Sequence, residues 1–378
     1  MYKEILVGEY SNYFIQNDGK VSTYDNNKLS VYSLPEPIIT GAAGHPWANV
    51  ISESGQVYHA LGDNTQWKKV PITGAISSTA YYTHHVIVGA GGSLTVYNDK
   101  LEVVSLKVPG RIVKAVAAAV LLALDDKGGV WKYNWISSGK IVKPHAELAK
   151  LAAEKINLPG PATDIATSRS LFSAAVVNGS AVIWCDAFGA PYVGQKKATG
   201  PIIPNWQPKN IKQIGASDNT LMMIDGNDEM WSMGNNWVGQ VGNGEIDPRV
   251  LAGNADMGNR TFVSEPVNIS RGRKWKRFWL GTYYAFRSFA QDIRGNIYAW
   301  GYGKFGLPAH GIRPQDDPAN VGITAITIPW RVGIPQMLSV ASTADIKSGK
   351  VKYPPAEPKV LIKTVKYYDD GTEEVVNE

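Results

Sequence analysis

Seven times along the chain the same pattern returns, and it limits the fold more than any single motif does. An apolar strand is followed by a polar turn with glycine, then by a short strand rich in Tyr and Trp. The copies are YFIQNDGKVSTY, ANVISESGQVYHAL, VIVGAGGSLTVY, VLLALDDKGGVWKY, SAAVVNGSAVIWC, LMMIDGNDEMWSMG and SFAQDIRGNIYAWG. Their turn glycines are Gly19, Gly55, Gly92, Gly129, Gly179, Gly226 and Gly295. The first intervals are 36, 37 and 37 residues and the later ones 50, 47 and 69. A proline before the next apolar strand recurs in phase with them. Glycine accepts the positive φ of a hairpin turn, and proline suits strand beginnings and edges because it lacks an N–H. A unit of roughly 35–50 residues holds about four short strands, which is one propeller blade. One such sheet cannot bury both faces alone, but blades stacked around an axis bury each other. The expected fold is all-β, a seven-bladed β-propeller over residues 1–350. Residues 339–353 read either as a partial eighth unit or as a strand that closes the ring.

Composition agrees with a large folded body. Of 378 residues 44 % are hydrophobic and 19 % charged, too apolar for a disordered chain. A formal charge of +5 is mild at this length and does not by itself imply nucleic acid or membrane binding. Cys185 is the single cysteine, so no intramolecular disulfide and no cysteine metal cluster can form. The longest apolar run, AVAAAVLLAL (115–124), is too short to span a bilayer as a helix. The N-terminal stretch lacks the pattern of a signal peptide. The expected location is the cytoplasm or a virion assembled there.

Two units carry a more specific signature. EMWSMGNNWVGQVGNG (229–244), followed by SEPVNI, resembles the repeat of the regulator-of-chromosome-condensation family of propellers. Trp231, Gly234, Asn236, Gly239, Gln240, Gly242, Gly244 and Pro266 fit that repeat. IYAWGYGKFGLPAHG (297–311) is a second copy with Trp300, Gly301, Gly306 and Gly311 in place and the Gln position lost. The other five units keep only the turn, the apolar strand and the proline. In repeat style the chain is similar to short-repeat bacterial and phage members. The resemblance implies the fold, while function lives in what the fold carries.

Gly301, Gly303 and Gly306 also spell G-x-G-x-x-G. A dinucleotide loop must lead into a helix, and LPAHGIRPQDDP cannot start one. No cofactor is expected. The six histidines are scattered, and His84 and His85, adjacent on a strand, point to opposite faces; no metal site is expected. DGNDE (225–229) reads as a hairpin turn rather than a calcium loop. No nucleophile motif or triad pattern is present, so no catalytic residue is assigned and the chain is not expected to be an enzyme.

Three segments depart from the repeat. PHAELAKLAAEKINLPG (144–160) has helix propensity with Leu148, Leu151, Ile156 and Leu158 on roughly one face, and reads as a helical insertion, either capping a blade edge or binding a partner. Residues 243–266 form a long polar loop. Residues 351–378 form a second region: a Pro-rich linker (352–360), then two strands around Asp-Asp-Gly (360–376). Such a hairpin is marginal alone and needs a surface, its own propeller or a neighbouring chain.

The binding candidates are Arg273, Lys274, Trp275, Lys276, Arg277 and Trp279, where basic and aromatic residues interleave, with Tyr367 and Tyr368 of the tail. The same stretch also reads as a strand burying its aromatics behind a basic loop. The function expected is a non-catalytic protein-binding and assembly propeller, such as a structural or attachment component of a bacteriophage virion, reaching other protein chains through its tail and loops. The alternatives are a regulator of a small GTPase, which the family resemblance implies, or a glycan-binding propeller; nucleic acid is a lesser candidate partner.

Overall fold

The computed structural model describes all residues except 1, 9–10, 26–27, 46, 62–65, 139–140, 170–171, 186–196, 198, 207, 218, 237–238, 246–261, 282–286, 303–324, 332–363, 368–372 and 377–378. The chain divides into two compact units, Met1–Ile334 and Pro335–Glu378.

The first unit is a seven-bladed β-propeller. Blade one is β1 (Tyr2–Val7), β2 (Asn12–Gln16), β3 (Val21–Asp25) and β4 (Lys28–Tyr32). Blade two is β5 (Ile38–Ala43), β6 (Ala48–Ser52), β7 (Val57–Leu61) and β8 (Gln66–Lys69). Blade three is β9 (Ala75–Tyr81), β10 (His84–Gly89), β11 (Leu94–Tyr97) and β12 (Val103–Leu106). Blade four is β13 (Ile112–Ala117), β14 (Leu121–Asp125), β15 (Val130–Tyr133) and, after an insertion, β18 (Glu154–Lys155). The insertion holds the pair β16 (Ile136–Ser138) and β17 (Ile141–Val142) and the helix α1 (His145–Leu148). Blade five is β19 (Ala162–Thr167), β20 (Phe172–Val177), β21 (Ser180–Cys185) and β22 (Thr199–Ile202). Blade six is β23 (Gln213–Ser217), β24 (Thr220–Ile224), β25 (Met230–Asn235) and β26 (Phe262–Asn268). Blade seven is β27 (Trp275–Leu280), β28 (Arg287–Asp292), β29 (Ile297–Tyr302) and β30 (Ala325–Arg331).

Every blade is an antiparallel meander of consecutive strands, first strand innermost. Each inner strand touches the next around the ring, and β27 touches β1. Blade one supplies its own β1 and blade seven its own β30, so the ring closes with no strand exchanged between its ends. Residues 339–353, read as a partial eighth unit or a closing strand, lie outside the described residues. In the second unit β31 (Thr364–Tyr367) pairs with β32 (Glu373–Val376), as the alternating pattern implies.

The core sits between blades. At the seam of blades seven and one, Phe14 meets Phe289 edge to face at 6.1 Å, beside fully buried Trp275 and Trp300. Between blades one and two Tyr13 meets Trp67 at 5.9 Å. Tyr81 and Trp135 pack together between blades three and four. Packing aromatic and β-branched faces of neighbouring sheets removes most of their apolar surface from water.

The helical insertion is much shorter than its propensity suggests. Only His145–Leu148 is helical, and Glu154 and Lys155 pair with Lys132 and Trp131 as the outer edge of blade four. Leu148 is buried with Leu106 of blade three, so the single turn caps a blade edge. Ile156 and Leu158 pack on the core between blades four and five. The sheet's need for a fourth strand overrides local helix preference.

Candidate functional site

The strand directions give the ring two unlike faces. Inner strands begin on one face, which also holds the turns between second and third strands, each two to five residues long. They end on the other, which holds the connections between third and fourth strands. The strand ends there are joined by residues 134–153, 186–198, 236–261 and 303–324. The long connections between third and fourth strands therefore share one face, and the opposite face holds the tight hairpins together with the linkers between blades.

Those hairpins are held by a device that the sequence shows and that the repeat reading missed. In blade six Asp225 Oδ1 accepts the N–H groups of Asn227 and Glu229 at 2.8 and 2.9 Å, and Oδ2 accepts Trp231 Nε1 at 3.0 Å. Asp125 does the same with Lys127, Gly129 and Trp131. Asp292 holds Arg294 and Asn296, with Tyr298 in the aromatic place. Burial pushes the Asp125 carboxyl up, but the bonds from Trp131, Gly129 and Lys127 outweigh it and hold the group below its ordinary value. DGNDE is thus a hairpin turn, and the visible signal is Asp followed six residues later by Trp or Tyr. Gly19, Gly55, Gly92, Gly179 and Gly295 hold positive φ as expected. In blades four and six the residues in that conformation are Gly128 and Asp228, not Gly129 and Gly226. Gly129 lies against the Asp125 carboxylate, in the place that Glu229 and Asn296 take in blades six and seven.

The blade-six signature locks blade six to blade seven. Trp300 Nε1 donates to the carbonyl of Gln240 at 3.1 Å. A Cβ on Gly242 would lie 2.7 Å from that indole, and its φ is +85°. Asn236 Oδ1 accepts the N–H of Val241, and Asn236 Nδ2 donates to Asn243 Oδ1, folding the loop back. Gly239 turns the chain at φ +77°. Gly301 lies inside β29, paired with Arg287, so the G-x-G-x-x-G spelling belongs to a blade; Gly303 and Gly306 lie outside the described residues.

Around the axis each inner strand opens on a shared irregularity. Its first residue is buried, its second bulges out of the ladder, and its third begins a polar belt. The bulge falls between paired residues Tyr2/Glu4, Ile38/Thr40, Ile112/Lys114, Ala162/Asp164 and Trp275/Arg277. Blade three shows it at Ile76. In blade six the N–H of Lys212 bonds to Ile224, the residue that faces Gln213. The belt staples neighbouring blades. Lys114 pairs with Asp164, whose Oδ2 accepts the N–H of Ile214 at 3.2 Å. Gln213 exchanges two hydrogen bonds with the backbone of Phe278. Arg277 donates to the carbonyls of Lys3 and Tyr2 at 2.8 and 3.1 Å, and to Gln291. Burial raises the Glu4 carboxyl to about 7 against the pull of Arg277, Trp279 and Lys3. Below the belt runs an axial cavity of about 250 Å3, lined by all seven inner strands.

The interleaved basic and aromatic candidates separate cleanly. Trp275 is fully buried and Trp279 nearly so, both in the core; neither offers its ring to a partner. Arg277 lies 4.6 Å from the Trp279 ring and clasps blade one. Arg273 sits 5.0 Å over Tyr298, and Lys274 pairs with Glu229 at 3.2 Å. Lys276 is exposed. Tyr367 falls in β31; Tyr368 lies outside the described residues.

The histidines are less scattered than the sequence suggests. His59, on β7, and His85, on β10, meet at 5.1 Å, and His85 stacks on Tyr97 at 4.9 Å. Asn49 Nδ2 donates to His85 Nδ1 at 2.8 Å, with Asn49 Oδ1 held by Ser78. His84 points the other way, toward His145 at 6.3 Å. Burial lowers His59 to about 4 and holds His85 well below its usual value. Among the described residues no three His, Cys, Asp or Glu side chains are placed to hold a metal, and no helix is long and apolar enough to cross a membrane.

No protein-family model and no curated protein matches the sequence. Solved structures do match the fold. Human WBSCR16 superimposes with a TM-score of 0.59 at 13 % identity, covering 81 % of this chain and 85 % of that one. Yeast RCC1 (Prp20), solved bound to Kap60, gives 0.58 at 17 %, covering 79 % and 75 %. A second structure of Prp20p from Saccharomyces cerevisiae, reported with its binding properties to Gsp1p and histones, gives the same score and covers 77 % of that chain. The fold is therefore that of propellers of the RCC1 type.

Proposed function

We propose that this chain is a non-catalytic, protein-binding propeller that engages a protein partner through its insertion-bearing face. The observation that carries the reading is the asymmetry of the ring. The four long connections between third and fourth strands begin and end on one face, while the other holds the tight hairpins and the linkers between blades, the longest of which is 203–212. Loops on a rigid scaffold are where binding surfaces are built. Ile141, in the described part of the first insertion, is 64 % exposed and marks an apolar point on that face.

The more specific form of this reading is regulation of a small GTPase. It draws support from the likeness to Prp20p, whose structure is reported with binding to Gsp1p. A role in a virion draws no such support from the comparisons. The test is release of a fluorescent guanine nucleotide from purified small GTPases in the presence of the full chain. Acceleration that drops with Ile141→Asp, at unchanged thermal midpoint, supports the GTPase form. Stable complex formation without acceleration, also weakened by Ile141→Asp, leaves the broader protein-binding reading and removes the narrower one. Partner binding insensitive to every insertion-face substitution overturns the assignment of the face.

A further inference from the structure

The opposite face carries a second surface, independent of the insertions. The bulged residue of each inner strand lies out of the ladder at the start of that strand, outside the lining of the axial cavity. In ring order these residues are Lys3, Ile39, Ile76, Val113, Thr163, Lys212 and Lys276. They divide the rim into sectors. Blades two, three and four give Ile39, Ile76 and Val113, and blades six, seven and one give Lys212, Lys276 and Lys3. Ile76 and Val113 are 42 % and 39 % exposed. Ile39 is half-buried against the core between blades two and three, whereas Ile76 and Val113, held in water by the bulge, gain nothing from the fold.

The polar belt just behind the rim divides at nearly the same places, with blade four belonging to the stapled arc. From blade four through five, six and seven to one, the belt residues staple adjacent blades by the ion pair and hydrogen bonds described above. In blades two and three the belt residues are Thr40 and Ser77, which make no side-chain hydrogen bond to a neighbouring blade among the described residues. Ile39 and Ile76 thus stand where the axis is lined by small neutral groups, while Val113 stands beside Lys114 at the start of the stapled arc. The lysine sector stands over the stapled arc. Lys212 is paired with Asp228 at 2.7 Å, both half exposed. Lys3 and Lys276 hold no salt bridge among the described residues.

We propose that this rim binds a segment of a partner protein that carries aspartate or glutamate on one side and aliphatic residues on the other, laid across the mouth of the axis. The lysine arc complements its acids, and the aliphatic arc buries its apolar side. Charge attraction sets orientation and approach, and burial of the exposed Ile and Val holds the segment. A nucleic acid would use the lysines and leave the aliphatic arc in water, so it fits half of the surface.

The test uses the full chain and fluorescein-labelled peptides of alternating Glu and Leu, Glu and Ser, or Lys and Leu, with a DNA duplex as a fourth probe, read by anisotropy. The Glu/Leu peptide is expected to bind about tenfold or more tightly than the other three. Lys3→Glu with Lys276→Glu, and separately Ile76→Ser with Val113→Ser, should each weaken it about tenfold. All four side chains reach solvent, but Lys3→Glu also removes a cation that acts on Glu4, so thermal midpoints are measured alongside and Lys276→Glu alone, which should also weaken binding, is used if the Lys3 variant lowers the midpoint. Absence of Glu/Leu binding, equal binding of Glu/Ser or DNA, or rim variants that bind as well as the parent overturns the proposal. Ile141→Asp should leave this binding untouched, which separates it from the insertion-face reading.

Discussion

At the residue scale the fold depends on a few side chains with several partners each. Asp225 is the clearest, because one buried carboxylate satisfies two backbone N–H groups and an indole. Asp225→Ala leaves three donors without their acceptor and should cost about 2–3 kcal/mol in urea unfolding. Asp225→Asn keeps the Oδ1 acceptor and should recover roughly half of that loss; equal losses for both would mean that the geometry is unimportant. The turns themselves were legible, because glycine is the residue that positive φ selects. Which of two adjacent glycines takes that φ was not, since Gly128 and Gly129 are chemically identical until the Asp125 carboxylate is placed. The aspartate clip was visible as a spacing, yet an acid in a turn has too many ordinary explanations to be singled out. The binding candidates Trp275 and Trp279 could not be told from core residues, since an aromatic beside a lysine reads alike whether its strand faces a neighbour or water.

At the scale of elements, the interface of blades two and three is built to be neutral. His59 and His85 are buried in their uncharged forms, with folded pKa values below the ordinary 6.5. The unfolded chain therefore binds more protons than the folded one between that value and the depressed ones. Stability from this pair is complete above about 6.5 and is lost as pH falls toward about 4. Glu4 acts in the opposite sense, since its raised pKa removes stability as pH rises from about 4.5 to about 7. Burial lowers His84 to about 4 as well, so urea unfolding across this range should show a net fall on acidification of about 1.4 kcal/mol per pH unit for each of the three histidines, less the Glu4 contribution. His59→Gln keeps a donor for Tyr97 and should flatten the slope by one proton. An unchanged slope would show that His59 titrates alike in both states. Element identity was readable wherever strand and turn alternated. It failed at 144–160, where Leu148, Leu151, Ile156 and Leu158 satisfy a helical face as well as they satisfy two separate packing sites.

At the scale of the molecule, the number of blades was written twice in the sequence, by turn glycines and by prolines in phase. The closure of the ring was not, because the contacts that make it join residues 274 and 275 positions apart. Arg277 looked like one more cation in a basic stretch and is instead the clasp between last and first blades. Arg277→Met leaves the Lys3 and Tyr2 carbonyls and the Glu4 carboxylate without it and should cost about 2–3 kcal/mol. Lys276→Met, one position away on the exposed rim, should change stability by less than about 0.5 kcal/mol. Equal effects of the two in chemical denaturation would remove Arg277 from the closure.

The manner of that closure has a further consequence. Six of the seven joints between blades are bridged by the chain itself, so a blade that loosens there stays beside its neighbour. The seventh joint has no covalent bridge and, among the described residues, no shared strand. It is a seam, fastened by the Phe14–Phe289 contact, the surrounding aromatics and one guanidinium. An annulus fastened in this way has a built-in place to part. Hydrogen exchange of β1 and β27 should therefore report the first opening of the ring, ahead of any blade interior.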